Sequence, residues 1–170
     1  NKVEDEDWFA NHFQNEKNKY AKSSMSDLER GQQLAMKSKA VLGKNLMGTI
    51  KKSGTDAALS FCNVEAYPLI DSMATFLDAK IKRVSDKPRN ENNVANEQEL
   101  TYINKVIAQL AKGEKVVGEL HKEENANVAY YPITTNDMCL QCHGKPQEQI
   151  KESTLSLLSE LYPNDKAVGY

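Results

Sequence analysis

The sequence predicts an α+β fold in which long helices come first and a small antiparallel sheet follows. Two observations support this prediction. Apolar residues recur at helical spacing through residues 26–76, which is typical of amphipathic helices. Two β-rich runs, from Lys115 to His121 and from Val128 to Ile133, flank the segment 122–127, and this pattern is typical of a hairpin.

Composition and charge narrow the class of protein. The chain has 170 residues, 39% of them hydrophobic and 27% charged, so we expect a single core. With a net charge of -2, the chain lacks the overall positive charge that is typical of nucleic-acid-binding proteins, so we do not expect nucleic acid as a partner. No run approaches the roughly 18 apolar residues that a membrane span needs. The first residue is Asn1 rather than Met, so we expect a mature or trimmed chain, with any signal peptide or anchor outside it.

The first half of the chain predicts three helices. An aromatic stripe at helical spacing predicts a first, amphipathic helix. Its members are Trp8, Phe9, His12 and Phe13. Ser26 is placed to cap a long second helix and Gly54 to end it. A third helix is predicted from Thr55 to Phe76, with a kink at Pro68.

The second half predicts shorter elements. The alternating run Ile81 to Ser85 predicts a short strand before a polar loop. Asn96, followed three residues later by Glu99, resembles a capping box and predicts a helix start. After the hairpin, Pro146 suits the first turn of a last helix that Pro163 ends.

The segment after the hairpin carries the clearest chemical signal. Cys139, Cys142 and His143 form the Cys-x-x-Cys-His arrangement of c-type haem attachment. About one helical turn separates the two thiols, so each can form a thioether with a different haem vinyl group. The adjacent imidazole of His143 then lies over the iron as the proximal ligand. The motif predicts one covalent haem c, and therefore export to the periplasm or cell surface.

Zinc binding and dithiol chemistry use the same residue types. Cys62 with Cys139, Cys142 and His143 would make a zinc set of three cysteines and one histidine, although adjacent ligands suit a tetrahedral ion poorly. A thioredoxin-like pair would need a βαβ alternation that is not visible here. A four-helix bundle of the cytochrome c prime kind also has its haem motif near the C-terminus. The predicted hairpin and the predicted strand at Ile81 favour α+β instead.

The second axial position of a haem has several candidates in this sequence. They are Met25, Met36, Met47, Met73, Met138, His12, His121 and Cys62. Methionines at helix positions usually fill the core, and Met138 stands beside the motif, where it cannot easily reach the opposite haem face. An unpaired thiol in an exported protein is exposed to oxidation, which makes Cys62 distinctive. From the residues alone, ligand and buried core residue both stay open for Cys62.

Four stretches of the chain resemble a known family. They are residues 58–62 (Ala-Leu-Ser-Phe-Cys), the run Arg83 to Asn90 with Asn93, the segment Pro132 to Gly144, and Leu161-Tyr162-Pro163 with Ala167 to Tyr170. Together these stretches resemble the exported c-type haem proteins with a PAS-like sensor domain and a His/Cys axial pair. Glu91 stands where that family usually has proline, and its members usually continue beyond the position of Tyr170.

The resemblance implies a ligand pair and a fold. Cys62 would be the distal thiolate ligand and His143 the proximal ligand. A PAS-like antiparallel sheet would surround the haem, which would lie between the sheet and the helices. The chain would then divide into an N-terminal helical segment, residues 1–54, and a PAS-like haem domain, residues 55–170.

Four further residues are predicted to contact the haem. Arg83 and Arg89 are candidates for its propionates, because guanidinium groups match carboxylates well. Bracing of a loop is the alternative for each arginine. Tyr131 and Pro132 lead into the haem motif and are candidates for lining the pocket, although a tyrosine here also suits the hairpin core.

The expected function is redox or small-gas sensing through a six-coordinate haem, with no enzymatic activity. A thiolate ligand stabilises ferric iron and lowers its reduction potential. The alternative is an electron-transfer subunit of an exported complex. The expected partner is accordingly a diatomic gas or a redox protein, and a membrane anchor outside this chain and a homo-oligomer stay open.

Overall fold

The long helix α1, Asp27–Val64, opens the part of the chain that the computed structural model describes, residues 25–76 and 78–169. Its start is a full capping box. The Ser26 side chain accepts from the Glu29 backbone N–H, and the Glu29 carboxylate accepts from the Ser26 N–H. Gly54 interrupts the helix at φ 86°, in the left-handed region that glycine tolerates. The predicted cap and break are therefore confirmed, and the predicted aromatic helix lies outside the described residues.

The second helix, α2, spans Ala66–Phe76 and begins directly after a break at Glu65. The sequence predicts a kink at Pro68, whereas the helix breaks three residues earlier. Proline lacks an N–H and its ring clashes with the carbonyl four residues before it, which is that of Val64, the last residue of α1. Met73 of α2 is buried and packs against α1 and Ile81.

The predicted strand from Ile81 to Ser85 is wrong. Only Ser85 pairs, in one isolated bridge with Val94, and the residues before it form no regular structure. A short 3-10 turn, Glu91–Asn93, brings Val94 beside Ser85. The next helix begins at Glu97, so this pairing does not extend into a strand. Helix α3, Glu97–Ala111, then begins at Asn96 with the predicted capping box.

The hairpin is confirmed, with shorter strands than predicted. Strand β1, Glu119–Lys122, pairs antiparallel with β2, Asn127–Tyr130, and Glu119 lies opposite Tyr130. The Tyr130 ring stacks on Tyr102 of α3 at 5.4 Å between centroids. The next residue points the other way, and the Tyr131 hydroxyl donates to the Leu28 carbonyl of α1. The hairpin thus lies between α1 and α3.

Two helices complete the described chain. Helix α4, Asp137–His143, carries the cysteine motif, and α5, Glu152–Leu161, ends before Pro163 as predicted. The prediction that Pro146 opens this last helix is wrong. Gln147 has φ 65°, which is incompatible with a continuing right-handed helix, so a turn occupies residues 145–150.

The main apolar core joins α1 to α5. Leu59, Ile150 and Leu158 are buried together. Partly buried neighbours surround them, namely Leu155, Leu157, Leu161, Tyr162 and Val168. Thr154 of α5 is fully buried, and its hydroxyl donates a hydrogen bond to the Asp56 carboxylate of α1 at 2.6 Å. This packing anchors the part of α1 that follows Gly54.

The α+β class is confirmed. Across the described residues the sheet has two antiparallel strands, and the PAS-like arrangement stays a prediction. The predicted division at residue 54 coincides with the Gly54 break and stays a prediction. Within the described part of the chain, no helix is both long and apolar enough to span a membrane.

Two glycines of α1 offer a matched test of the hairpin packing. A Cβ at Gly31 would lie 2.6 Å from the Tyr131 hydroxyl, which is hydrogen-bonded and cannot yield easily, whereas a Cβ at Gly43 meets nothing within 4 Å. We expect Gly31→Ala to lower the free energy of unfolding by about 1–3 kcal/mol. Gly43→Ala should raise it by about 0.5–1 kcal/mol. Urea unfolding measures both, and equal effects would contradict the packing.

Candidate functional site

Helix α4 presents the three motif residues on one face. Asn136 caps the helix, and its side-chain oxygen accepts from the Cys139 backbone N–H at 3.3 Å. Cys139, Cys142 and His143 follow at positions i, i+3 and i+4, which are neighbours on a helix surface. Gly144 ends the helix in a space where a Cβ would lie 2.5 Å from the Leu140 carbonyl. The motif is therefore held at both ends.

The His143 ring is oriented by one backbone carbonyl. Its Nδ1 lies 2.8 Å from the carbonyl oxygen of Ala167, and since a carbonyl only accepts, Nδ1 carries the proton. Burial lowers the pKa of His143, the charge of Arg89 lowers it further, and the bond to Ala167 opposes both. The neutral ring with its proton on Nδ1 has its lone pair on Nε2, the arrangement of a metal-binding imidazole.

Cys62 lies in the last turn of α1 and close to the motif helix. Burial raises the pKa of the Cys62 thiol, and the positive charges of Arg83 and Arg89 act in the opposite direction. Burial also raises the pKa of Cys142, Arg89 lowers it, and the nearby Cys62 thiol raises it again. A thiolate at Cys62 would thus have two cations near it and little water around it.

A hydrogen bond ties the Cys62 segment to α4. The Thr55 hydroxyl donates to the Gln141 side-chain carbonyl at 3.1 Å. Thr55 follows the Gly54 break and Gln141 lies between the two motif cysteines, so the contact joins the segment of α1 that bears Cys62 to the motif itself.

Arg89 connects three parts of the site. Its Nε donates to the Asp165 carboxylate at 2.9 Å, and its Nη2 donates to the carbonyls of Cys142 at 2.5 Å and Ala167 at 3.5 Å. The Tyr162 ring lies 5.8 Å from the guanidinium carbon. The Arg89 and Asp165 side chains are only 12% and 9% exposed, so this ion pair is nearly excluded from water.

The chain after α5, residues 163–169, follows the site without forming a helix or strand. We call it the tail segment. The Lys166 N–H donates to the Pro88 carbonyl at 3.2 Å, and the Gly169 N–H donates to the Gly144 carbonyl at 2.9 Å. The tail segment therefore lies against both the Arg89 loop and the end of α4.

The structure brings together five of the predicted site residues: Cys62, Arg83, Arg89, Cys142 and His143. Cys139 lies on the same face of α4.

The remaining predicted contacts lie elsewhere or stay open. The Tyr131 ring lies where Cβ atoms at Gly31 and Gly118 would be, and its hydroxyl bonds to Leu28, so its contacts are those of a hairpin core residue. Pro132 is half-buried after the hairpin. Roles for Arg83 and Arg89 at propionates, and for Tyr131 and Pro132 in lining a pocket, stay predictions.

Three residues of the site were not predicted from the sequence. Asp165 and Ala167 hold Arg89 and His143, yet a single aspartate and a single backbone carbonyl carry no local pattern. The partners of Asp165 and Ala167 are 76 and 24 residues away. Asn136 was also not predicted, although a polar residue before a helix start is a recognised capping signal.

The donor set fits a haem better than a zinc ion. In residues 25–76 and 78–169, no group of three or more His, Cys, Asp or Glu side chains is placed to hold a metal ion. A structural zinc site is closed by protein ligands on all sides. A haem iron takes protein ligands only along its axis. The site offers one imidazole with its proton on Nδ1 and one thiol near two arginines, which are donors of the kinds that axial positions take.

Comparison with known proteins gives one match. A family model described as Tll0287-like, Tll0287, matches residues 9–170. The matched range contains every residue of the site described above. Searches of curated proteins and of solved structures returned no match.

The reactivity of single cysteines tests the site electrostatics. Because burial raises the pKa of Cys62, its thiolate forms at higher pH in the folded chain than in urea. In a Cys139→Ser/Cys142→Ser variant, the midpoint of the pH profile for alkylation should therefore lie higher when folded. Restricted access alone would slow the reaction without moving that midpoint. A midpoint below the urea value would mean that Arg83 and Arg89 outweigh burial.

Proposed function

The chain belongs to the Tll0287-like family, and from this premise we propose that it is a covalent haem c binding protein of the cell envelope. It attaches one haem through Cys139 and Cys142 and senses redox state or a small gas through a His/Cys axial pair. The iron of the haem, when bound, supplies reversible oxidation and a coordination site for a diatomic molecule.

The observation that carries the proposal is the geometry of α4. Two thiols and an imidazole share one helix face, and the imidazole proton is held on Nδ1 by the Ala167 carbonyl. Thioether formation needs two thiols about one turn apart, and axial ligation needs the lone pair of Nε2. The two thiols and the imidazole all belong to α4, and the Ala167 carbonyl, 24 residues from His143, leaves the lone pair on Nε2.

Cys62 is proposed as the distal ligand. Burial raises the pKa of its thiol, the charges of Arg83 and Arg89 oppose that shift, and Cys62 lies close enough to Cys142 to raise the pKa of that thiol. A thiolate adds negative charge at the iron, so we expect the ferric form to be stabilised and the reduction potential to be low. With both axial positions filled, oxygen-activating catalysis is not expected.

The Cys62 segment, residues 55–64, suits a switch. It lies between the Gly54 break and the break at Glu65, which interrupt its helical continuity with the rest of α1 and with α2. Leu59 keeps it on the core formed with α5. We propose that reduction, or a diatomic ligand, releases Cys62 and that this segment transmits the change. The PAS-like arrangement of the haem between sheet and helices, and export to the periplasm or cell surface, belong to the same proposal.

Covalent attachment is tested by mass. When the chain is exported from a host with haem c maturation, we expect a mass increase of one haem that survives denaturation. Cys139→Ser and Cys142→Ser should each remove one thioether, and the double variant should lose covalent haem. Cys62→Ser is the matched control, because it removes a thiol without touching the attachment motif. An unmodified wild-type mass would overturn the proposal.

Spectra of the loaded protein test the axial pair. Cys62→Ala should change the ferric ligand bands and raise the reduction potential, because it removes a negative ligand. His121→Gln is the control, since His121 is an exposed strand residue paired with Glu119 and should leave the spectrum unchanged. Carbon monoxide should then bind the reduced wild type. Rapid electron exchange without gas binding would instead identify an electron-transfer subunit.

A further inference from the structure

We propose that Arg89 and Asp165 are positioning residues that fix the imidazole of His143 by holding its acceptor, the Ala167 carbonyl. We call this ion pair with its bonds to the tail segment the tail clamp. The inference rests on the proposed role of His143 as an iron ligand and adds a determinant of that ligand's geometry and basicity.

The acceptor of the His143 bond lies in the tail segment, which forms no helix or strand. Backbone hydrogen bonds of Lys166 and Gly169 hold the chain on either side of Ala167. Asp165 adds hydrogen bonds to Ala167 and to Arg89 through its two carboxylate oxygens. Its Oδ1 accepts from the Ala167 N–H at 2.8 Å, and its Oδ2 accepts from the Arg89 Nε at 2.9 Å. The carboxylate thereby links the Ala167 backbone to a buried guanidinium.

The same guanidinium holds the helix that carries His143. Arg89 Nη2 donates to the Cys142 carbonyl at 2.5 Å, and Cys142 is in the last turn of α4, where carbonyls lack partners within the helix. Nη2 also approaches the Ala167 carbonyl at 3.5 Å. The Arg89 guanidinium is therefore hydrogen-bonded both to α4, which carries His143, and to the tail segment, which carries the Ala167 carbonyl that accepts from the His143 ring.

Arg89 is itself fixed by its surroundings. The preceding residue, Pro88, is buried, and its carbonyl accepts from the Lys166 N–H of the tail segment. The side chain lies beside the Tyr162 ring. A buried ion pair of this kind contributes more to a unique geometry than to net stability, because desolvation offsets much of the attraction.

The tail clamp and the propionate interpretation of Arg89 predict opposite effects of replacing Arg89 by lysine. A propionate needs a nearby cation, which lysine retains. The clamp needs Nε and Nη2 to reach three acceptors in different directions, which one ammonium nitrogen cannot do. Arg89→Lys therefore separates the two roles.

The experiment begins with the haem-free chain. Ring-nitrogen NMR at mildly alkaline pH reports which nitrogen of His143 carries the proton. We expect Nδ1–H in the wild type and a loss of that single tautomer in Arg89→Lys. Lys166→Gln is the control, because it removes a cation from an exposed tail side chain and leaves its backbone bond to Pro88 in place. An unchanged tautomer in Arg89→Lys would overturn the clamp.

Asp165→Asn is the second variant, should Arg89→Lys fail to fold. It keeps the shape of the side chain but replaces one acceptor oxygen by a donor, so one of the two bonds made by Asp165 must be lost. We expect the same mixed tautomer, and its absence would also count against the clamp.

The haem-loaded protein supplies an independent readout. A weaker bond at Nδ1 makes the imidazole a poorer donor to ferric iron, so we expect Arg89→Lys to raise the reduction potential while covalent haem content stays at the wild-type level. An unshifted potential would contradict the clamp. If the wild type carries no haem, the proposed function fails, and the tautomer measurement still decides whether the clamp exists.

Discussion

The guanidinium of Arg89, whose side chain is only 12% exposed, contacts two stretches of chain that are distant in sequence from its own loop. It contacts the end of α4 through Cys142 and the tail segment through Asp165 and Ala167, and Arg89 itself belongs to the loop between α2 and α3. Removing its charge would leave the Asp165 carboxylate buried without its cation, which is costly. The orientation of the His143 ring, the one imidazole in the site, depends on the geometry that this pair imposes.

A second constraint acts on the other side of the site. The Gly54 break and the break at Glu65 isolate the ten residues 55–64, and Leu59 packs that segment on α5. On one side of the site, hydrogen bonds connect Arg89 to the tail segment. On the other side lies the segment 55–64, which carries Cys62. Such a pairing suits a site in which one ligand stays fixed and the other can leave.

The hairpin serves a different part of the fold. Tyr130, the last residue of β2, stacks on Tyr102 of α3, and Tyr131, which follows the strand, donates a hydrogen bond to the first turn of α1. The hairpin therefore supports the start of α1, while α5 supports its end. The two packing regions of α1 therefore lie on either side of the Gly54 break.

The sequence predicted correctly those features that depend only on residues close together in the chain. Ser26 with Glu29, and Asn96 with Glu99, predicted helix starts because a capping box is satisfied within three residues. Gly54 predicted a break because only glycine adopts its backbone angle cheaply. The run from Ile81 to Ser85 failed as a strand because a strand needs a partner, and in the described part of the chain its pairing is the single bridge between Ser85 and Val94.

By itself the sequence determined the α+β class, the hairpin, and the spacing of Cys139, Cys142 and His143, since each depends on residues close together in the chain. The sequence also identified Cys62 and Arg89 as candidate site residues, but it did not show which groups Arg89 contacts. Only the tertiary structure decided that Ala167 orients the imidazole and that Asp165 holds Arg89. Those contacts join residues 24 and 76 positions apart, and no local pattern encodes which carbonyl a folded chain brings to a ring nitrogen.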